Sequence, residues 1–164
     1  MSAGAWTEVA REAARSRADA APAVHSQRLV VFELDGAPYA LPVECVREIV
    51  RQKPITPIPR LPAELLGVIS LRGQVIQVID LRRRLGLPPL CAGRRSRIVV
   101  AHDGEGRVAG LLVDGVRAVA TVAEESFCDA PAAPGAAIER LCRLDGSFVS
   151  VVDIDRAMDV DAGE

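Results

Sequence analysis

Aromatic side chains are scarce: the chain has three Phe, one Tyr and one Trp in 164 residues. Its core must be built from Val, Ile, Leu and Ala. A barrel that stacks nucleic-acid bases on aromatic platforms would have little to stack with. The net charge is only −2, so the overall balance attracts neither nucleic acid nor an anionic membrane. No apolar run approaches the roughly 20 residues that a membrane helix needs. Residues 1–20 hold Glu8, Arg11, Glu12, Arg15, Arg17 and Asp19 where a signal peptide needs an unbroken apolar stretch. The cytoplasm is therefore the expected location, without direct membrane insertion.

Patterns for catalysis or ligand holding are missing as well. Cys45, Cys91, Cys128 and Cys142 form no CxxC pair. Structural zinc and a disulfide framework are not expected, and the four read as buried free thiols. His25 and His102 show no metal-ligand spacing and no recognisable nucleophile beside them. The phosphate-cradling patterns GxxxxGK[ST] and GxGxxG are absent, since Gly104 and Gly106 belong to a turn. Asp80, Asp114 and Asp153 each close an apolar strand, and helix capping and turn chemistry account for all three. We expect no enzyme activity, no cofactor and no metal.

What the sequence does hold is a grammar of short strands. RLVVFEL (28–34) runs into Asp35-Gly36, a hairpin signal, with Tyr39 to Leu41 returning. After Pro42, VECVREIVR continues as a strand or short helical turn. Pro54, Pro57, Pro59 and Pro62 make an ordered, extended loop. LLGVISL and QVIQVID flank Arg72-Gly73, and Arg82 to Gly86 reads as one helical turn ended by glycine. SRIVVAH, RVAGLLV, VRAVATV, RLCRL and SFVSVVDI follow, punctuated by Asp103-Gly104, Asp114-Gly115 and Asp145-Gly146, each read as a turn. Nine or ten short strands with such frequent turns indicate an all-β barrel or sandwich. VIQVIDLRRRLG (75–86) and FVSVVDIDRAMD (148–159) echo each other as strand, Asp, helical turn, as two similar small barrels would. Phe32 and Phe148 lie within apolar runs and read as core.

Residues 1–27 differ from this grammar. Trp6, Val9, Ala10, Ala13 and Ala14 lie on one helical face, and Ala20 to Ser26 reads as a linker. The extension is a docking arm or a helix lying on its own domain. Arg82-Arg83-Arg84 and Arg94-Arg95-Arg97 form two basic clusters. They are the wall of a single-strand nucleic-acid groove or, better supported by the scarcity of aromatics, solvated faces. Arg72 stands between two packed runs, so we expect it partly buried or at a crevice. A buried guanidinium needs a carboxylate, and Glu48 is the expected partner; the alternative is Arg72 reaching to water.

The stretch LLGVISLRGQVIQVIDLRRRLGL resembles the core signature of the CheW family of bacterial chemotaxis coupling proteins, at Gly67, Val68, Leu71, Arg72, Gly73, Val75, Ile76, Val78, Ile79, Asp80, Leu81, Arg82 and Gly86. FELDGAPYALPVECVREIV, GLLVDGVRAVATV and FVSVVDIDRAM are similar to the family's opening, middle and closing segments, in order. The resemblance implies an all-β fold with short helices: two small five-stranded SH3-like β-barrels packed side by side, over residues 28–160. It implies a non-enzymatic adaptor between the cytoplasmic tips of methyl-accepting chemoreceptors and the regulatory domain of a CheA-type histidine kinase. The pathway is flagellar chemotaxis, gliding or twitching motility, or surface sensing. Carried over by position, the receptor helix is expected near Val46, Glu48, Ile49, Gly67 and Arg72, and the kinase near Val43 and Ile55. Glu48 and Arg72 match the family's functional Glu and Arg.

Overall fold

The computed structural model describes residues 25–89, 93–131 and 137–160. The helix expected at the N-terminus and Cys91 lie outside these. Among the described residues eleven strands form two sheets. In the first half of the chain are β1 (Ser26–Leu34), β2 (Ala37–Pro42), β3 (Val46–Arg51), β4 (Leu65–Leu71), β5 (Gln74–Asp80) and the short helix α1 (Leu81–Arg84). In the second are β6 (Arg97–His102), β7 (Val108–Val113), β8 (Gly115–Ala123), β9 (Phe127–Asp129), β10 (Ile138–Leu144), β11 (Ser147–Val152) and α2 (Ile154–Met158). Ser26 and Gln27, read as linker and extension, already pair with Ala123 and Val122.

The halves exchange hairpins. One sheet runs β8-β1-β2-β11-β10-β9 and the other β3-β6-β7-β5-β4. The β1–β2 hairpin completes the sheet of the second half, and the β6–β7 hairpin completes that of the first. The two insertions are alike: β2 lies parallel to β11, and β7 lies parallel to β5. Three-residue β9 makes the first sheet six-stranded rather than five.

Side-chain alternation explains why β1 and β6 read as continuous apolar runs. In β6, Ile98 and Val100 point into the interior of their own sheet with Ile69, Leu71, Ile76 and Val78. Val99 and Ala101 point the other way, into a core shared with Phe32, Leu34, Leu41, Ile154 and Met158 from the opposite sheet and its helix. In β1, Leu29 and Val31 face Val122, Cys142, Val149 and Val151. A strand covered on both faces needs apolar residues at every position. The described residues thus form three cores, one within each sheet and one between them.

Local chemistry sets the turns. Asp35-Gly36, Arg72-Gly73 and Asp145-Gly146 all have positive φ at both positions, which suits a two-residue hairpin that must follow the strand twist. The echo between 75–86 and 148–159 is structural too. Asp80 Oδ1 accepts the Arg82 and Arg83 N–H groups at the start of α1, and Asp153 Oδ1 accepts the Arg156 N–H at the start of α2.

Four sequence expectations are corrected. Asp114-Gly115 is not a hairpin turn: β7 and β8 belong to different sheets, so Asp114 marks the crossing between them. Phe148 is 56% exposed rather than core, beneath the Arg143 guanidinium at 5.5 Å. Cys128 is exposed and Cys45 half-buried; among the described cysteines only Cys142 is buried. Arg82, read as part of a solvated cluster, is 4% exposed.

Candidate functional site

Pro42 has no N–H for a ladder, and the chain turns there through a 3-10 segment (Val43–Cys45) before entering β3. β3 is an edge strand, paired only with β6. A bulge in that ladder between Val46 and Glu48 re-aims the side chains, so Val46 and Ile49 both pack toward the core between the sheets. Together with Val43 they line a crevice of about 450 Å³ whose far wall is Val30 of β1 and Val119 of β8. It is therefore a groove between the two sheets. Arg47, Glu48, Arg51 and Arg97 line it alongside these apolar residues.

A second cleft, about 420 Å³, adjoins the first across Arg47 and Glu48, which line both. Arg72, Leu71 and Gln74 form part of its wall. Arg72 Nη2 donates to Glu48 Oε2 at 3.1 Å. The pair forms on the surface, however: the Arg72 side chain is 80% exposed and Glu48 27%. Arg72 is not buried because it is a hairpin residue with φ of 53°, where the side chain leaves the sheet. The strong apolar runs beside it pack through their own residues.

The expected site residues separate into two groups. Val43, Val46, Glu48 and Ile49 share the crevice, and Arg72 joins them through Glu48. Val43, assigned to the kinase side by resemblance, thus lies with the receptor-side residues. Gly67 and Ile55 lie elsewhere. Thr56 bridges Val68 on β4 by two backbone hydrogen bonds of 2.9 Å, which presses the 55–57 segment onto Gly67. Gly67 has φ of 143°, and a Cβ there would meet the Thr56 carbonyl oxygen at 2.1 Å. Gly67 is buried and offers a partner no side chain. Ile55 is half-buried against the core within the β3–β7 sheet.

One ion pair built on a buried arginine is one that sequence reasoning missed. Arg82 Nε lies 2.8 and 2.9 Å from the two carboxylate oxygens of Asp114, and Nη2 also contacts Asp114 Oδ2. Nη1 donates to the Pro88 carbonyl at 2.8 Å and lies 3.6 Å from Asp35. Asp114 Oδ2 in turn accepts the Asp35 N–H at 2.8 Å. Burial pushes the Asp114 carboxyl up, but the Arg82 hydrogen bonds, the Asp35 N–H and the Arg82 charge outweigh it and hold the group below the usual carboxylate range. Hydrogen bonding to Asp114 likewise raises Arg82 against the cost of burial. Arg82 is consumed here, Arg83 pairs with Asp80 and Arg84 donates to the Arg156 carbonyl, so the three arginines do not stand together on one solvated face. No group of three or more His, Cys, Asp or Glu could hold a metal among the described residues, and no described helix is long and apolar enough to cross a membrane.

Residues 28–162 match the family model described as the CheW-like domain. The chain belongs to the CheW family. It is 32% identical over 133 residues to the chemotaxis protein CheW of Rhizobium meliloti, covering 79% of this chain and 85% of that one. It is 34% identical over 128 residues to protein FrzA of Myxococcus xanthus, with 78% and 79% covered. The crystal structure of the scaffolding protein TtCheW from Thermoanaerobacter tengcongensis superposes with a TM-score of 0.78 at 31% identity, over 85% of this chain and 97% of that one. The two sheets are accordingly the paired SH3-like barrels of the CheW fold, and the chain is a scaffold of chemotaxis by family.

Proposed function

We propose that this chain couples methyl-accepting chemoreceptors to a CheA-type histidine kinase and does so without catalysis. The observation that carries the reading is the groove between the barrels: apolar residues Val43, Val46 and Ile49 on one wall, with the Glu48–Arg72 pair beside it. An amphipathic helix lays its apolar face into such a groove, spaced by helical turns, and keeps its polar flank at the rim. Val46, Glu48, Ile49 and Arg72 are the receptor contacts in this reading, with Val43 joining them. Gly67 lets the 55–57 segment close on β4, away from the groove, and so acts on the fold rather than on the receptor helix in this reading. Ile55 remains the candidate on the kinase side.

The adaptor role needs two surfaces on one rigid body. The core shared between the barrels supplies the rigidity. Exposed Val75 (74%) and Phe148 (56%), at matching positions of the internal echo, are apolar surface outside the groove. The likeness to FrzA favours a second reading within the same class, coupling in a gliding, twitching or surface-sensing pathway.

The test is assembly from purified parts: this chain, a receptor signalling tip and the CheW-like regulatory domain of the kinase. A ternary complex formed by the wild type, with the receptor arm lost in Val46→Glu or Arg72→Asn, is the expected result. A folded sample that binds neither partner overturns the reading.

A further inference from the structure

Arg51 on β3 and Arg97 on β6 stand directly opposite each other in an antiparallel ladder. Like charges in that position repel and weaken a sheet. A carboxylate between them would relieve the repulsion, but no ion pair to either forms among the described residues. A third arginine, Arg94, joins them in one cleft of about 680 Å³, whose other lining residues are Gln52, Gly93 and Ser96. Its lining carries three cations and no anion.

This cleft is also built. Buried Ser96 closes the loop before β6, its Oγ accepting the Gly93 N–H at 2.9 Å while its own N–H bonds the Gly93 carbonyl at 3.0 Å. Arg97 Nη1 donates to the Arg94 and Ser96 carbonyls at 2.9 and 2.8 Å. The Arg97 guanidinium is thus held by neutral carbonyls, with its charge uncompensated. Neighbouring Arg95 differs, since it lies 3.8 Å from Glu33. Three arginines arranged to raise each other's potential, one of them fixed, are a receptor for anions.

The cleft adjoins the crevice, because Arg51 and Arg97 line both. That adjacency selects the source of the anion. A helix seated on Val46 and Ile49 carries its flank across Arg51 and Arg97. We propose that the Arg51–Arg94–Arg97 cleft binds carboxylates on the acidic flank of the helical partner whose apolar face fills the crevice. This rests on the receptor-coupling reading. The acidic flank would set register and orientation along the groove, which the apolar contacts alone leave loosely defined.

Two arms test it. In the first, the full chain is titrated by NMR at low salt with a blocked hexaglutamate peptide and, as a control, hexaglutamine. Shifts at the Arg51, Gln52, Ser96 and Arg97 amides with the acidic peptide alone, lost in Arg51→Gln/Arg94→Gln, are expected. No localised shift, or the same shift in the double variant, overturns the proposal. Inorganic phosphate or a single-stranded oligonucleotide binding there more tightly than the peptide overturns the assignment to carboxylates. In the second arm the receptor tip binds the double variant about tenfold more weakly, with a flatter salt dependence. Equal affinity and an equal salt slope overturn the placement of the acidic flank. A wild type that takes up the acidic peptide in the cleft but never binds the tip overturns the receptor reading and leaves the carboxylate site standing.

Discussion

Arg82 and Asp114 join the two barrels where the chain crosses between them. Arg82 belongs to the helix that follows β5, and Asp114 to the single residue between β7 and β8. The Asp114 N–H also bonds the Glu33 carbonyl of β1 at 3.0 Å. One carboxylate therefore ties a helix of one barrel to the leading hairpin of the other. Removing Asp114 strips the buried Arg82 guanidinium of its carboxylate, and removing Arg82 strips a half-buried carboxylate of its cation. Arg82→Ala is expected to destabilise the fold by about 3 kcal/mol. Urea unfolding of the variant beside the wild type checks this; a loss under about 1 kcal/mol would show the pair to be dispensable.

The same contact makes stability depend on pH. The Asp114 carboxyl is depressed in the folded state, so its contribution is fully present above the unfolded value of about 3.9 and is lost as pH falls through the folded value. Asp103, buried and bonded to Arg107 and two backbone N–H groups, is depressed likewise and adds to the same window. Unfolding free energy followed from pH 7 down to about 3 should fall below the unfolded carboxylate value. Asp114→Asn should lower the plateau and shrink that fall without abolishing it. An unchanged slope would assign the acid sensitivity elsewhere.

Gly67→Ala should be among the costliest single-methyl additions in the chain. The new Cβ would collide with backbone, the Thr56 carbonyl, and not with a side chain that can swing away. We expect a loss of about 2 kcal/mol or more and faster hydrogen exchange at the Thr56 and Val68 amides, whose mutual bonds must break. Native exchange rates at those amides would refute it.

Arg72→Asn should do the opposite. Asn accepts a positive φ, and the exposed Glu48 pair contributes about 0.5 kcal/mol or less. Melting temperature should stay close to the wild type while receptor-tip affinity drops. A large melting shift would mean that Arg72 is structural.

Thiol labelling provides a direct check on the cysteines. In a Cys91→Ser background Cys128 should react at once, while Cys142 waits for unfolding. Cys142 is buried, and burial raises its thiol above the ordinary value despite the Arg140 charge. Rapid modification of Cys142 would place it outside the sealed core.

The hairpins were legible because their signals are local. Asp-Gly supplies two residues that accept positive φ, Gly73 supplies one beside Arg72, and the flanking apolar runs do the rest. The Asp80 and Asp153 caps were legible for the same reason, as was the echo that contains them. Asp114-Gly115 misled because the identical dipeptide serves a crossing when the strands on either side find partners in different sheets.

Short apolar strands, two-residue turns and the paired strand–Asp–helix units belong to the chain itself, since each depends on neighbours within a few residues. Which arginine is buried does not. Arg72 and Arg82 both border apolar runs, yet one sits on a hairpin tip at 80% exposure and the other is closed in by Asp114 and Asp35, 32 and 47 positions away. Phe148 and Phe32 divide in the same way, because β1 is covered on both faces while the start of β11 is not. The exchange of hairpins between the halves encloses Arg82 and covers β1 on both faces. Nothing local encodes that exchange; it is the packing that gives each half a barrel to close and leaves a single core between them.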